Sequence, residues 1–132
     1  MANTLQFDLV SPERRLASVT ATEVMIPGAD GDLTAMEGHA PTITTLRPGS
    51  LRASTAEGVK SYVVTGGFAE ISATGVSVLA ERAVPVEEAT GTIIDDILAE
   101  ARSLAAVATP EMKDMAEKTL ADVQALRDAV AH

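Results

Sequence analysis

The sequence predicts an antiparallel β-sandwich, or flattened barrel, followed by an antiparallel hairpin of two helices. Three observations carry this. Short β-branched runs recur through the first two-thirds of the chain, each closed by glycine or proline turns, the texture of a sandwich or barrel. Near Thr92 the apolar spacing changes from two residues to three and four, which is helical. A length of 132 residues allows one sizeable core, or a modest core with a small appendage.

The elements follow in order. Leu5, Phe7 and Leu9 alternate with Gln6 and Asp8, as in a strand with one buried face. Further strands are expected in "VTATEVMI", "TITTL", "KSYVVT" and "VSVLA". Turn residues at 27–32, 47–49, 56–58, 65–67 and 73–75 separate them, and "TAEG" and "SATG" favour hairpins because glycine accepts positive φ. Residues 31–42, "GDLTAMEGHAPT", read as a loop. "TGGF" at 65–68 is too short for a phosphate loop and has no helix after it, so its glycines are expected to bend a strand or let backbones approach. The β unit should span 1–86, a linker 87–91, and the helical hairpin 92–132. In the first helix Ile94, Ile97, Leu98, Ala101, Leu104 and Ala105 share a face, and Thr92 with Asp95 fits a capping pattern. The second helix is expected to start at Thr109-Pro110, with a stripe of Met112, Met115, Ala116, Thr119, Leu120, Val123, Leu126 and Val130. The break "AVATPE" is short, which makes the helices antiparallel neighbours. Alanine buries little area, at about 25 cal/mol per Å², so this hairpin needs other surfaces to lean on. Composition fits a permanently docked hairpin and a detachable one equally.

Charge and composition exclude several function classes. A formal net charge of −9 repels a phosphate backbone, and Phe7, Phe68 and Tyr62 are too few for base stacking, so no nucleic acid partner is expected. The absence of cysteine removes thiolate metal sites and disulfides. No apolar run reaches the roughly 20 residues that span a bilayer, and "MANTLQFDLV" lacks a basic-then-apolar leader pattern. The expected address is therefore cytoplasmic, with no direct membrane insertion. His39 shares its loop with Asp30, Asp32 and Glu37, a set able to do acid–base work, but glycine- and proline-rich loops also carry solvated acids. The other histidine is His132, and no zinc-type spacing exists. Asp95-Asp96 are adjacent and thus on different helical faces. No catalytic residue, metal or cofactor is expected, and the chain reads as a binding or coupling component.

The pieces "VSPERR", "MIPGADGDL", "EGHAPTITTLRPGSL", "TGGFAEI" and "VSVLAERA", in that order between about Leu5 and Val86, resemble the epsilon subunit family of bacterial and chloroplast F-type ATP synthases, whose mitochondrial counterpart is called delta. The resemblance implies a sandwich with a carboxyl-terminal hairpin, at the foot of the central stalk, bound to the gamma subunit and resting on the c-ring. It implies a non-catalytic rotor part that couples proton flow to ATP synthesis, peripheral on the cytoplasmic face of the bacterial inner membrane. It also implies an interface at Asp32, Glu37, Gly38, His39, Ala40 and Pro41 toward gamma and the polar loops of the ring. The bland alternative for His39 is a loop histidine bonded to nearby backbone, and both stay open.

This sequence departs from the family pattern in places. Thr34 stands where Gly is frequent and Glu37 where Pro is frequent. Nucleotide-binding members carry Ile/Leu-Asp-x-x-Arg-Ala in the first helix; here Ile94 and Asp95 are present, Leu98 replaces the arginine, and Ala99 follows. A hydrocarbon cannot replace a guanidinium against phosphate, so ATP binding is expected to be weak or absent. The family's hairpin can also extend toward acidic segments of the catalytic beta subunits, making alpha and beta further partners. Residues 92–132 carry eight acids and four bases, a net −4, so inhibition by this route is expected to be weak. The alternative function is a free-standing sandwich adaptor for a protein or small ligand.

Overall fold

The computed structural model describes residues 4–89 and 91–130. Eight strands are present among them: β1 (Leu5–Val10), β2 (Arg15–Ala21), β3 (Glu23–Gly28), β4 (Gly31–Met36), β5 (Thr42–Thr45), β6 (Gly49–Thr55), β7 (Gly58–Ile71) and β8 (Gly75–Pro85). A 3₁₀ turn at Val86–Glu88 precedes α1 (Gly91–Val107) and α2 (Lys113–Val130). By backbone contacts the chain divides into two compact units, Met1–Pro85 and Val86–His132.

The β unit is built around its two longest strands. Gly58–Val64 of β7 pairs with β6, whereas Phe68–Ile71 of the same strand pairs with β5. On its other side β7 runs beside β8 from Tyr62↔Pro85 to Ile71↔Val76. β8 in turn pairs through Gly75–Leu79 with β1. One layer is thus β2-β1-β8-β7-β5 and the other β4-β3-β6-β7-β8, with β7 and β8 crossing between them. The crossing lies at Gly66 and Gly67, whose φ values are 66° and 94°. A side chain on Gly67 would place its Cβ 2.0 Å from the Leu79 carbonyl oxygen, so the bend needs glycine there. The expectation for "TGGF" is met in both its forms, bend and close approach.

Inward-facing rows fill the space between the layers. Phe7, Leu9, Val24, Ile26, Leu51, Val64, Ile71 and Val78 are almost wholly buried. Each such side chain contributes about 1.5–3 kcal/mol of hydrophobic stabilisation. Phe7 and Tyr62 meet with ring centroids 6.3 Å apart, and the rest of the core is aliphatic, as composition requires.

Several local expectations need correction. "VTATEVMI" is not one strand: it breaks at Thr22, whose N–H and hydroxyl both turn to the Ser54 carbonyl, at 2.8 and 3.2 Å. Half of the expected loop 31–42 is the strand β4, an edge strand that buries little beyond Ala35 and so shows weak alternation. β6 has no counterpart among the expected runs, because only Leu51 and Ala53 of its residues are buried. The sheet is also not purely antiparallel, since β1 and β8 pair in parallel. The two meet across most of the unit's sequence, where no hairpin dictates direction.

In the helical unit, Ile97, Leu98 and Ala101 of α1 pack with Val123 of α2, joined by Ile93 and Leu120. Arg127 Nε forms an ion pair with Asp95 Oδ1 at 3.0 Å, and Lys118 Nζ donates to Asp122 Oδ2 at 3.0 Å. Toward the turn the expected stripe fails: Leu104, Met112 and Met115 are exposed. α2 also begins later than Thr109-Pro110. The Met112 N–H bonds the Thr109 carbonyl at 2.9 Å, closing a tight turn, and α-helical bonding starts with Ala116 N–H to Met112 O. The side chains of Thr92 and Val130, and His132 altogether, lie outside the described residues.

Candidate functional site

Asp32 sits at the start of the edge strand β4, opposite Pro27 of β3. Its carboxylate accepts a hydrogen bond from Arg47 Nη2. Arg47 also donates through Nη1 to the Gly28 carbonyl at 2.6 Å and through its backbone N–H to the Pro27 carbonyl at 3.0 Å. The Ala29 N–H reaches the Thr45 carbonyl at 2.9 Å. One arginine therefore clasps the tip of the β3–β4 hairpin. Sequence reasoning treated Arg47 only as part of a turn; nothing in its spacing from Asp32 announces the contact.

Glu37, Gly38, His39, Ala40 and Pro41 form the link from β4 to β5. Gly38 has φ 86°, and its N–H donates to the Ala73 carbonyl at 2.9 Å, tying the link to the β7–β8 turn. The His39 N–H returns to the Met36 carbonyl at 3.0 Å. Its Nδ1 lies 2.6 Å from the Ala40 carbonyl, a contact that needs the proton on Nδ1. Thr42 Oγ1 donates to the same carbonyl at 3.0 Å. The local-backbone reading of His39 is thus realised, and it leaves the ring on a half-exposed surface. Asp32 stands at the other end of β4, some 16 Å of extended chain from Glu37. The acid and the histidine are not brought together. Among the described residues, no group of three His, Asp or Glu side chains converges as metal ligands would.

The layer β2-β1-β8-β7-β5 presents a second surface, which sequence reasoning missed. Register places Val10, Leu79, Phe68 and Thr45 side by side on its outer face. Leu79 is 44% exposed and Phe68 39%, high for such residues in the middle of a sheet. They line an open groove of about 440 Å³ with Val10, Ser11, Pro12 and Glu81. The next outward row, two residues along each strand, is Ser18, Asp8, Ser77, Glu70 and Ile43. The face is therefore an apolar row beside a row of carboxylates and hydroxyls that ends at exposed Ile43. The signal was present in the sequence, as Leu79 and Phe68 occupy outward positions of their strands, but it is visible only once the register is known.

The degenerate nucleotide motif divides between two sides of α1. Leu98 is 3% exposed, inside the helix–helix seam, and Ile94 is buried, while Asp95 and Ala99 face outward. Asp95 is occupied by Arg127. The Leu98 side chain is committed to that seam and offers nothing to a phosphate.

Comparison with known proteins agrees with this architecture. Residues 4–86 match the family model described as ATP synthase, delta/epsilon chain, beta-sandwich domain. The whole chain is similar to the ATP synthase epsilon chain of Cereibacter sphaeroides, at 70% identity over 132 residues covering 100% of each. Its fold is similar to a chain in the Euglena gracilis mitochondrial ATP synthase OSCP/F1/c-ring structure, with TM-score 0.73, 24% identity and coverage of 100% of this chain and 83% of that one. It is also similar to a chain in the Tetrahymena thermophila mitochondrial ATP synthase central stalk and c-ring structure, with TM-score 0.66, 12% identity and coverage of 97% and 96%. At these identities the structural likeness concerns fold alone.

Proposed function

The chain belongs to the ATP synthase delta/epsilon family, and from that premise we propose that it is the non-catalytic epsilon-type subunit of a central stalk, gripped by a gamma subunit and seated on a c-ring. A free-standing adaptor is not favoured by a relative 70% identical from end to end. The observation that carries the docking mode is the exposed row Val10–Leu79–Phe68 on the outer face of β1, β8 and β7. A rotor part needs a broad grip and a stiff body, not a reactive group. The grip is this apolar row. The stiffness comes from β7 and β8, which run unbroken through both layers, so a load on one layer passes to the other through continuous backbone.

In this reading the β unit, residues 1–86, carries the contacts with gamma and the ring. Asp32 at the Arg47 clasp and the link Glu37–Pro41 are rims of that contact area, toward the polar loops of the ring. The hairpin 92–132 is a regulatory element that reaches alpha and beta weakly. No helix among the described residues is long and apolar enough to cross a membrane, and attachment is peripheral, on the cytoplasmic face of a bacterial inner membrane. The experiment is isolation from washed membranes through a tag on this chain. Alpha, beta and gamma chains should be recovered with the wild type, and a Phe68→Ser/Leu79→Ser variant should lose them. Equal recovery with the variant would show that the grip lies elsewhere.

A further inference from the structure

We infer that the segment of gamma seated on this face is an apolar anchor bracketed by lysine or arginine side chains; this rests on the docking mode proposed above. The apolar row does not stand in neutral surroundings. About 7 Å along the strands, Asp8 and Glu70 flank Ser77 in the next outward row. These carboxylates are two strand spacings apart, roughly 10 Å between backbones. Among the described residues, the Asp8 carboxylate accepts a single, long 3.4 Å bond, from the amide of Gln6, a neutral donor that does not offset its charge. On the opposite side of the apolar row Glu81 lines the same groove, with its carboxylate packed over Gly66. Three carboxylates thus surround Leu79 and Phe68.

Arg15, an exposed cation, pairs with Val10 across a register shift at the β2 edge, beside this row. The face is therefore polarised across its strands, with carboxylates on β1, β7 and β8 and Arg15 at the β2 margin. An apolar segment with cations on the β7–β8 side, and a neutral or acidic residue near Arg15, fits in one orientation only. The reverse orientation sets like charges together, which electrostatics penalises strongly at an interface. The apolar row supplies affinity and the carboxylates supply orientation and association rate.

The test measures binding of the full chain to purified gamma subunit across ionic strength, with thermal unfolding as the control for folding. Asp8→Asn/Glu70→Gln should weaken binding about tenfold at low salt and flatten the salt dependence. Phe68→Ala should weaken it by roughly thirtyfold at every salt concentration. If the neutralised variant keeps wild-type affinity and salt dependence while Phe68→Ala is weak, the docking mode stands and the cationic bracket is wrong. If Phe68→Ala also binds normally, the docking mode is wrong and the inference falls with it.

Discussion

A methyl group on Gly67 would sit 2.0 Å from the Leu79 carbonyl oxygen and 2.8 Å from the Ala80 Cα, both backbone atoms. On Gly66 it would meet the Glu81 carboxylate at 2.3 Å, the end of an exposed flexible side chain that can swing away. The two glycines look alike in sequence and differ sharply in what surrounds them. Gly67→Ala should therefore destabilise the β unit by at least about 3 kcal/mol, since backbone strain and a backbone clash add. Gly66→Ala should cost only about 1 kcal/mol, chiefly the positive-φ penalty. Urea unfolding of the two variants checks the order, and equal losses would show that the crossing is looser than its geometry. The role of this pair was legible because glycine doublets in a strand have few other uses. Arg47 was not. Its bonds to Asp32 and Gly28 join the β5–β6 link to the β3–β4 hairpin, and only the folded topology brings those segments together.

Elements were legible where burial is one-sided and obscured where it is not. β1 alternates cleanly because its inward residues are all large, whereas β4 and β6 bury small residues or few and blend into their loops. In the helices the three- and four-residue steps correctly identified the seam at Ile97, Leu98, Ala101 and Val123, but overextended it toward Leu104, Met112 and Met115. Periodicity reports which face a residue is on, not how far along the helices contact continues. The same seam bears on nucleotide binding. Leu98 fills it, so the residue at the arginine position of nucleotide-binding members serves packing here. Titration calorimetry of the full chain with magnesium ATP should show no saturable heat at about millimolar ligand. A micromolar Kd would contradict this. Leu98→Arg should not create the site: burying a guanidinium among Ile97, Ala101 and Val123 opens the hairpin first.

At the scale of the whole molecule, the two units differ in what they offer a partner. The β unit combines an apolar row with nearby carboxylates, a surface that can hold on; the helical unit ends in exposed Leu104, Val107, Met112 and Met115 on a hairpin of net charge −4. Charge was readable from composition alone, while the crossing of β7 and β8 and the parallel β1–β8 pair were not, because they depend on contacts between distant parts of the chain. Under the proposed function, the acidity of the hairpin sets how strongly it can inhibit. In the inhibitory role that the family resemblance implies, the hairpin holds against acidic segments of the catalytic chains, and like charges oppose that approach within a Debye length of about 8 Å at physiological salt. Two of its four bases are already engaged internally, Lys118 with Asp122 and Arg127 with Asp95. Both pairs are largely exposed and worth less than about 1 kcal/mol each, so they would not prevent extension; they do reduce the cationic surface available on arrival. Deleting residues 92–132 in the assembled enzyme should therefore leave ATP hydrolysis nearly unchanged. A severalfold rise would mean that the exposed apolar side chains at the hairpin turn, not its charges, hold the catalytic chains.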